Sequence, residues 1–318
     1  MTIKPQNRRV QVVPYNANWP INFAEEAEKI KIALGDNCLA IHHIGSTSVP
    51  SLAAKPVIDM VPVVLDITKV DDANTAMLAL GYEAKGEYGM PFRRYFQKGG
   101  NQRTYHVHAF EAGSPEIERH LKFRDWMRNH PEDREAYARL KQGLARQYSE
   151  DINAYCLGKD EFIADIDRKA GFNGLRIVKA LTIREWHAVR HFRQFYFFDK
   201  AGILDPYTWT FTKDTHIHFV VYQGPEIIGY AHLQLWPDER AAMRIIVIDE
   251  LKRNHNYGSQ FLALCEKWLK GQGYKSLHIE SSPEALKFYR DNHYISMPFN
   301  DPDGYESSPE DTAVGKIL

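Results

Sequence analysis

The chain has 318 residues, of which 44% are hydrophobic, 25% charged and 12% aromatic. These proportions exclude a disordered or fibrous protein, and the length predicts two domains of about 150 residues each. Forty basic and forty-one acidic side chains give a formal net charge of −1, which excludes a chain-wide attraction to nucleic acid or to an anionic membrane.

The cysteines and the amino terminus indicate the compartment. Cys38, Cys156 and Cys265 lie about a hundred residues apart and form no CxxC pair, as expected of reduced thiols in a cytoplasmic protein. Residues 1–15 contain charges but no apolar segment, and the longest apolar stretch, residues 57–65, is interrupted by an aspartate and a proline. We expect a cytoplasmic protein without a signal peptide, a membrane span or a disulfide.

The first half of the chain begins with short apolar runs that alternate with helical patterns, which predicts an α/β or α+β domain. A helix is expected over residues 20–34 and a second one ending at Gly81. Strand-like runs occupy residues 38–45 and 57–64.

A hairpin and a helical region follow. Residues 99–101 (Gly-Gly-Asn) join two strand-like runs and supply the positive-φ positions of a tight turn. From residue 115 to about residue 169, apolar residues recur at helical spacing. Residues 170–174 interrupt this periodicity, so we expect one domain over residues 1–170 and another over residues 175–318.

The second half shows another α/β pattern. In order, we expect a strand near 175–180, a helix over 182–200, strands at 216–223, 226–236 and 243–249, a helix from Gly258 to Gly271, a strand at 276–281 and a last helix capped by Ser282-Pro283.

Residues 253–259 (RNHNYGS) lie between a predicted strand and an amphipathic helix. Backbone N–H groups that are free at a helix start can bind a phosphate anion, and Arg253 adds a positive charge nearby. Asn256 tolerates the left-handed conformation that such a turn needs. The alternative interpretation is a plain connection between strand and helix.

Residues 243–294 resemble the core of the GNAT acetyltransferases, and the resemblance extends from Leu175 to the end of the chain. The family's loop reads Arg/Gln-x-x-Gly-x-Gly/Ala, and here Asn256 replaces the first glycine. The resemblance implies acetyl-CoA as co-substrate and an amine on a small molecule or a peptide as acceptor. It implies that the pantetheine arm pairs with the strand residues Ile246, Val247 and Ile248. It also implies that the diphosphate lies on the loop, whose residues are Arg253, Asn254, His255, Asn256, Tyr257, Gly258 and Ser259.

The resemblance also implies catalytic residues. Tyr289 matches the tyrosine that donates a proton or hydrogen bond to the leaving thiolate in many members, and its alternative role is aromatic packing. Glu280 and Asp249 end two predicted strands and are the candidate bases; solvated strand-end charges or a water chain are the alternatives. In this family, the segment that corresponds to the aromatic-rich residues 186–211 forms part of the wall of the acceptor site. These aromatic rings would suit a cationic amine, and the alternative is that they pack in the hydrophobic core.

The first half resembles the GrpB family, a nucleotidyltransferase-like group of poorly defined function, over about residues 8–168. The residues that match the family, in order, are Tyr15, Trp19-Pro20, His43-Ile44-Gly45-Ser46-Thr47-Ser48-Val49-Pro50, Ala54-Lys55-Pro56 and Asp59. The family usually has glycine where this chain has Ser51. The expected fold is therefore a nucleotidyltransferase-like mixed sheet with carboxy-terminal helices, followed by a GNAT fold, in an α/β (α+β) protein.

The candidate ligand residues of this first domain are Gly45, Ser46, Thr47, Lys55, Asp59, His106 and His108. The glycine-serine turn suits a phosphate, and Asp59 is a candidate ligand for Mg²⁺. Nucleotidyl transfer normally needs two or three carboxylates, and the position that would share the face of Asp59 is Val61. A metal site built from His106 and His108 with His42 and His43 is less favoured than paired core or cleft histidines, so no histidine metal site is predicted, and Mg²⁺ stays possible only at Asp59.

These features predict an acetyl-CoA-dependent N-acetyltransferase whose first domain binds a nucleotide or a phosphate ligand. One alternative is a nucleotidyltransferase acting through the first domain. Another is a non-catalytic sensor of CoA or nucleotide. The sequence leaves open the acceptor amine, the general base and the oligomeric state, and it predicts neither a nucleic-acid nor a membrane partner.

Overall fold

The computed structural model describes residues 9–304 and 308–318. The chain divides into two compact units between Arg176 and Ile177. The expectation for the amino terminus falls partly on residues 1–8, which lie outside the described residues. Within the described ranges, no helix combines the length and the apolar character that crossing a membrane requires.

The first unit contains six helices and five strands among its described residues. In chain order they are α1 (Trp19–Leu34), β1 (Cys38–Ile44), β2 (Ile58–Val64), α2 (Asn74–Ala79), β3 (Tyr82–Ala84), β4 (Arg93–Lys98), β5 (Tyr105–Glu111), α3 (Pro115–Asn129), α4 (Pro131–Gln147), α5 (Ile152–Leu157) and α6 (Asp160–Lys169).

The strands of this unit form one mixed sheet in the order β1-β2-β5-β4-β3. Only β2 and β5 run parallel, and the other pairs are antiparallel. The predicted hairpin is confirmed, because β4 and β5 pair and the turn glycines Gly99 and Gly100 both have positive φ. The mixed sheet followed by four helices confirms the expected fold class. Ile30, Met60 and Met77 are fully buried in its core.

The second unit contains three helices and seven strands among its described residues. They are β6 (Leu175–Lys179), α7 (Ile183–Arg193), β7 (His216–Gln223), β8 (Glu226–Leu235), β9 (Arg240–Ile248), α8 (Tyr257–Gly271), β10 (Ser276–Ser281), α9 (Pro283–Asp291), β11 (Ile295–Ser296) and β12 (Thr312–Ile317).

These strands form a second sheet in the order β11-β12-β10-β9-β8-β7-β6. One face is covered by α7, where Val189 packs with Val220 and Tyr230. The apolar stripe expected on α8 is buried, and Trp268 of that helix makes an edge contact with Phe219 of β7. The helix expected over residues 182–200 ends at Arg193 and continues as a π-helical turn over Gln194–Phe198.

Candidate functional site

The central strands of the second unit separate at one end. β9 and β10 run parallel, but their pairing covers only Arg240–Ala242 against Ser276–His278. The rest of β9, up to Ile248, pairs with β8 alone among the described strands. That part of β9 therefore presents backbone N–H and C=O groups on the side where the two strands separate.

A groove of about 630 Å³ lies at this separation. Its lining residues are Ile246, Val247, Ile248, Arg253, Asn254, Asn256, Tyr257, Gly258, Ser259, Glu284, Ala285, Phe288 and Tyr289. Nine of the ten residues expected to bind acetyl-CoA line this groove, and His255 does not. The sequence did not single out Glu284, Ala285 and Phe288, which come from the first turns of α9.

The loop before α8 has the conformation expected of an anion-binding turn. Asn254 and Asn256 both have positive φ, and Asn256 precedes the helix in the left-handed region at φ 62° and ψ 12°. Its side chain makes no capping hydrogen bond, so the first N–H groups of α8 remain available to a ligand. A Cβ at Gly258 would lie 3.3 Å from a ring carbon of Phe288, so a side chain there would press against this ring.

Tyr289 lines the groove and is 7% exposed. Its ring contacts those of Phe288 and Tyr294, with centroids 5.1 and 5.6 Å apart. Burial raises the pKa of the Tyr289 phenol. The hydroxyl therefore keeps its proton at neutral pH and can act as a hydrogen-bond donor in the groove.

The two candidate bases lie outside the residues that line the groove. Asp249 accepts a hydrogen bond from the backbone N–H of Leu251 at 2.9 Å and so caps the short helical turn Glu250–Lys252. Glu280 lies on β10 opposite Ala313 of β12. Asp249 thus has a structural role in addition to the predicted chemical one.

A second cavity, of about 320 Å³, lies within the first unit. All seven residues expected to contact a ligand there line it, namely Gly45, Ser46, Thr47, Lys55, Asp59, His106 and His108. Helices α3 to α6 and their connections supply further lining residues, which include Arg119, His120, Tyr137, Lys141, Lys159 and Asp167.

Asp59 is held between a glycine turn and two histidines. Its Oδ1 lies 3.0 Å from Nδ1 of His106, the residue directly opposite on the parallel strand β5, and 3.8 Å from Nε2 of His108. Burial alone would raise the pKa of Asp59, but the hydrogen bonds from both imidazoles outweigh it and hold that pKa well below its usual range. Gly45 has φ 67°, and a Cβ there would lie 2.6 Å from Oδ2 of Asp59, so this close approach requires glycine.

The ligand atoms of Asp59, His106 and His108 lie within 4.8 Å of one another and could surround a metal ion. The donor set fits Mg²⁺ poorly, because that ion prefers oxygen ligands and two of the three donors are nitrogens. A guanidinium nitrogen of Arg93 also lies 3.3 Å from Nδ1 of His108, which favours the tautomer with the proton on Nε2, toward Asp59. His106 thus lies within hydrogen-bond distance of the Asp59 carboxylate, and Nε2 of His108 faces the same oxygen from 3.8 Å.

The position expected for a second carboxylate is apolar. Val61 is fully buried and packs with Ile44 and Phe110. His43 bonds Thr47 at 3.0 Å and stacks on Phe23, and it is not among the ligand atoms grouped around Asp59. The chemistry of this cavity therefore depends on Asp59, on Asp167, which accepts a hydrogen bond from Arg119, and on several basic side chains.

Comparison with known proteins identifies the first unit. Residues 9–169, just over half of the chain, match the model of the GrpB protein family. The chain belongs to the GrpB family. YqkA of Bacillus subtilis, a UPF0157 protein, is 51% identical over 163 residues, which cover 51% of this chain and 48% of that protein. The chain thus spans about half of the length of this relative.

Solved structures resemble each unit. The conserved protein GrpB from Enterococcus faecalis is 43% identical, with a TM-score of 0.49, over 50% of this chain and 96% of that chain. Residues 181–294 match the acetyltransferase (GNAT) family model. The PaiA N-acetyltransferase of Thermoplasma acidophilum, solved in complex with coenzyme A, is 15% identical, with a TM-score of 0.34, over 46% of this chain and 99% of that chain. The chain therefore carries a GrpB domain followed by a GNAT domain, which confirms both resemblances.

Sequence reasoning missed a buried polar network in the GNAT domain. Nδ1 of His216 lies 2.8 Å from Nε2 of His232, and His218 bonds the hydroxyl of Tyr230 at 2.8 Å. Arg193 bonds the same hydroxyl and forms a two-pronged ion pair with Asp205, at 2.5 and 2.9 Å. Burial lowers the pKa of His218 to about 4, so this ring is neutral at pH 7. Tyr230 and His232, both on β8, belong to no motif that could have revealed the network.

Proposed function

We propose that the GNAT domain transfers an acetyl group from acetyl-CoA to an amine. The observation that carries this proposal is the separation of β9 from β10 directly beside the left-handed turn at Asn256. An unpaired strand edge and a set of free helix N–H groups then meet in one groove of sufficient size. Few other ligands need an extended amide-bearing arm next to a diphosphate.

The backbone of residues 246–248 would pair with the amides of the pantetheine arm, as one strand pairs with another. The N–H groups that begin α8 and the guanidinium of Arg253 would hold the diphosphate. Such contacts would direct the thioester toward the interior of the groove, near Tyr289. Nε of Arg253 already donates to the backbone carbonyl of Ile248 at 3.1 Å, so the other guanidinium nitrogens would serve the diphosphate.

In the reaction, the acceptor nitrogen forms a bond to the thioester carbonyl carbon, and the carbon–sulfur bond then breaks. The attacking amine loses a proton to a base, for which Glu280, Asp249 or a water chain remain the candidates. Tyr289 donates a hydrogen bond or a proton to the departing thiolate. Because burial raises its pKa, the phenol stays protonated at neutral pH, and this favours donation of a hydrogen bond to the thiolate over full transfer of the proton.

The acceptor is proposed to be a cationic amine, on a small molecule or a peptide. Partly exposed aromatic side chains follow α7, and these are Phe195, Phe197, Tyr207 and Trp209. Such rings attract an ammonium group through cation–π contacts. The carboxylate of Asp205 already pairs with Arg193, so the rings rather than this carboxylate support the proposal.

An acceptor screen with the purified full chain tests the proposal. Acetyl-CoA is mixed with polyamines, aminoglycosides, amino acids and peptides, and the release of free CoA thiol is followed. Amine-dependent release supports acetyl transfer. Binding of acetyl-CoA without release over the whole panel favours a CoA sensor, and absence of both binding and release rejects the proposal.

Nucleotidyl transfer by the GrpB domain remains the second candidate. Its support is the glycine-serine turn beside Asp59 in a cavity that also contains lysines. The apolar environment of Val61 argues against it, because transfer through two metal ions needs a second carboxylate at that place. Incubation of the full chain with radiolabelled ATP, Mg²⁺ and a panel of small hydroxyl and amino compounds would reveal any transfer.

A further inference from the structure

Ser46 and Lys141 of α4 meet in the cavity of the GrpB domain. Nζ of Lys141 lies 2.8 Å from Oγ of Ser46 and also donates a hydrogen bond to the backbone carbonyl of Ala53. The lysine is 2% exposed, whereas the serine is only half-buried, and both residues line the cavity. The serine hydroxyl is therefore accessible to a small molecule in the cavity, and the lysine amine is within hydrogen-bond distance of it.

The amine of Lys141 is largely neutral at pH 7. Burial lowers its pKa to about 6, and the positive charges of Lys159 and Lys55 act in the same direction. Within the described ranges of the chain, no carboxylate forms an ion pair with this amine that would restore its charged form. A lysine that is kept neutral by its surroundings can serve as a base, which a charged lysine cannot do.

The contacts of the neutral amine leave its lone pair for the serine. A neutral amine has two N–H donors and one lone pair. The carbonyl of Ala53 accepts one N–H group, and the ring of Tyr137, whose centroid lies 4.5 Å from Nζ, can receive the other. The lone pair can then accept the hydroxyl proton of Ser46. A hydroxyl and a base at this distance are the arrangement of a nucleophile and its general base.

Asp167 of α6 independently points to a ligand in the same cavity. It is 1% exposed and lines the cavity. Its Oδ2 accepts a hydrogen bond from Nε of Arg119 at 2.7 Å, but its Oδ1 has no hydrogen-bond partner in the part of the chain that the structure describes. A buried carboxylate oxygen without a partner is unfavourable, and a ligand that donates a hydrogen bond to it removes this penalty.

We propose that the GrpB domain hydrolyses a small carboxylic ester in this cavity, with Ser46 as the nucleophile and Lys141 as its general base. The cavity of about 320 Å³ suits a small ester, and the rings of Tyr137 and Tyr155 in its lining offer apolar surface to the acyl group. A hydroxyl or amino group elsewhere on the ester would donate to Oδ1 of Asp167. The proposal does not rest on acetyl transfer by the GNAT domain.

The reaction has two steps. Oγ of Ser46 forms a bond to the ester carbonyl carbon, its proton passes to Nζ of Lys141, and the alkoxide leaves with that proton as an alcohol. A water molecule then gives a proton to the same amine and attacks the acyl-serine. The carboxylic acid is released, and the proton on Lys141 returns to Oγ of Ser46. The ammonium group of Lys159, which also lines the cavity, can stabilise the negative charge that develops on the carbonyl oxygen.

Two probes test this activity in the full chain. Cleavage of p-nitrophenyl acetate is followed by the release of p-nitrophenolate. An alkyl fluorophosphonate forms an oxygen–phosphorus bond to an activated serine with loss of fluoride, and mass spectrometry maps the label. We expect turnover of the ester and labelling of Ser46. Ser46→Ala should lower both rates at least about 100-fold, and Lys141→Met should do so by a similar factor, because it removes the base.

Two controls locate the site. Oγ of Ser48 donates to the backbone carbonyl of Gly45 at 2.6 Å, so this neighbouring serine should stay unlabelled. Arg139→Met alters the helix of Lys141 at a side chain that is 71% exposed, and it should leave both rates unchanged.

The proposal is overturned if neither probe reacts at Ser46 in the unaltered chain, or if Ser46→Ala cleaves the ester as fast as the unaltered chain does. Equal labelling of Ser46 in a folded Lys141→Met variant would remove the base and equally overturn it. If Lys141→Met fails to fold, the result with Ser46→Ala decides.

Discussion

Burial shifts the pKa values of Tyr289 and Lys141 in opposite directions. Burial raises the pKa of the Tyr289 phenol and thereby favours its neutral, protonated form. Burial lowers the pKa of Lys141 to about 6, and the positive charges of Lys159 and Lys55 act in the same direction. The phenol therefore stays protonated at neutral pH and can donate a hydrogen bond, whereas the Lys141 side chain is largely neutral there.

Tyr289→Phe keeps the ring and removes only the hydroxyl. We expect it to lower the rate of acetyl transfer about tenfold or more and to leave the affinity for acetyl-CoA unchanged, because the hydroxyl acts on the departing sulfur. Steady-state rates of thiol release, together with a titration of acetyl-CoA, separate the two quantities. Equal rates in the two proteins would remove Tyr289 from the mechanism.

The turn that precedes α8 depends on two asparagines in the left-handed region. Asn256→Gly should keep the turn and the affinity for acetyl-CoA, because glycine adopts this conformation without strain. Asn256→Val should reduce the affinity about tenfold, since a β-branched residue at positive φ costs about 1–2 kcal/mol and displaces the first N–H groups of α8. Titration with acetyl-CoA compares the three proteins, and equal affinity of the valine variant would contradict the role of this turn.

Ser51 shows a similar strain in the GrpB domain. It has φ 66°, at a position where the family usually has glycine. Ser51→Gly should raise the unfolding temperature of this domain by about 1–3 °C, whereas Ser51→Ala, which keeps the strain, should not. Differential scanning calorimetry resolves the transition. A rise of similar size in the alanine variant would point to the loss of the hydroxyl instead.

The sequence predicted the order of elements and most of the residues that line the groove beside β9, because both follow from local patterns. The residues 246–248 and 253–259 are contiguous, so one motif identifies nearly the whole lining of that groove. The lining of the cavity around Asp59 was predicted only in part. Ser46 and Lys141 are 95 residues apart, and their contact depends on the packing of α4 against the sheet. No local spacing reveals such a pair.

Side-chain register explains the other differences. The environment of Glu280 depends on its pairing opposite Ala313, and Asp249 acts as a cap because of the turn that follows β9. The network of Arg193, Tyr230 and the histidines joins one helix to two strands, and its members are ordinary core residues when taken singly. Strand composition indicates a strand, but it does not show which polar groups meet across it.

The groove beside β9 and the cavity around Asp59 are lined by residues of different units. Ligand binding in the groove is therefore tested in the full chain by a substitution in the lining of the groove itself.

The most direct measurement is a calorimetric titration of the full chain and its Gly258→Leu variant with acetyl-CoA. The added side chain would meet the ring of Phe288 and fill the start of the groove. Gly271→Leu, at the other end of the same helix with no atom within 4 Å of an added Cβ, is the matched control. We predict low-micromolar binding by the unaltered chain and the control, and at least a tenfold loss in Gly258→Leu. Equal binding by all three proteins, or no binding by the unaltered chain, would contradict the account.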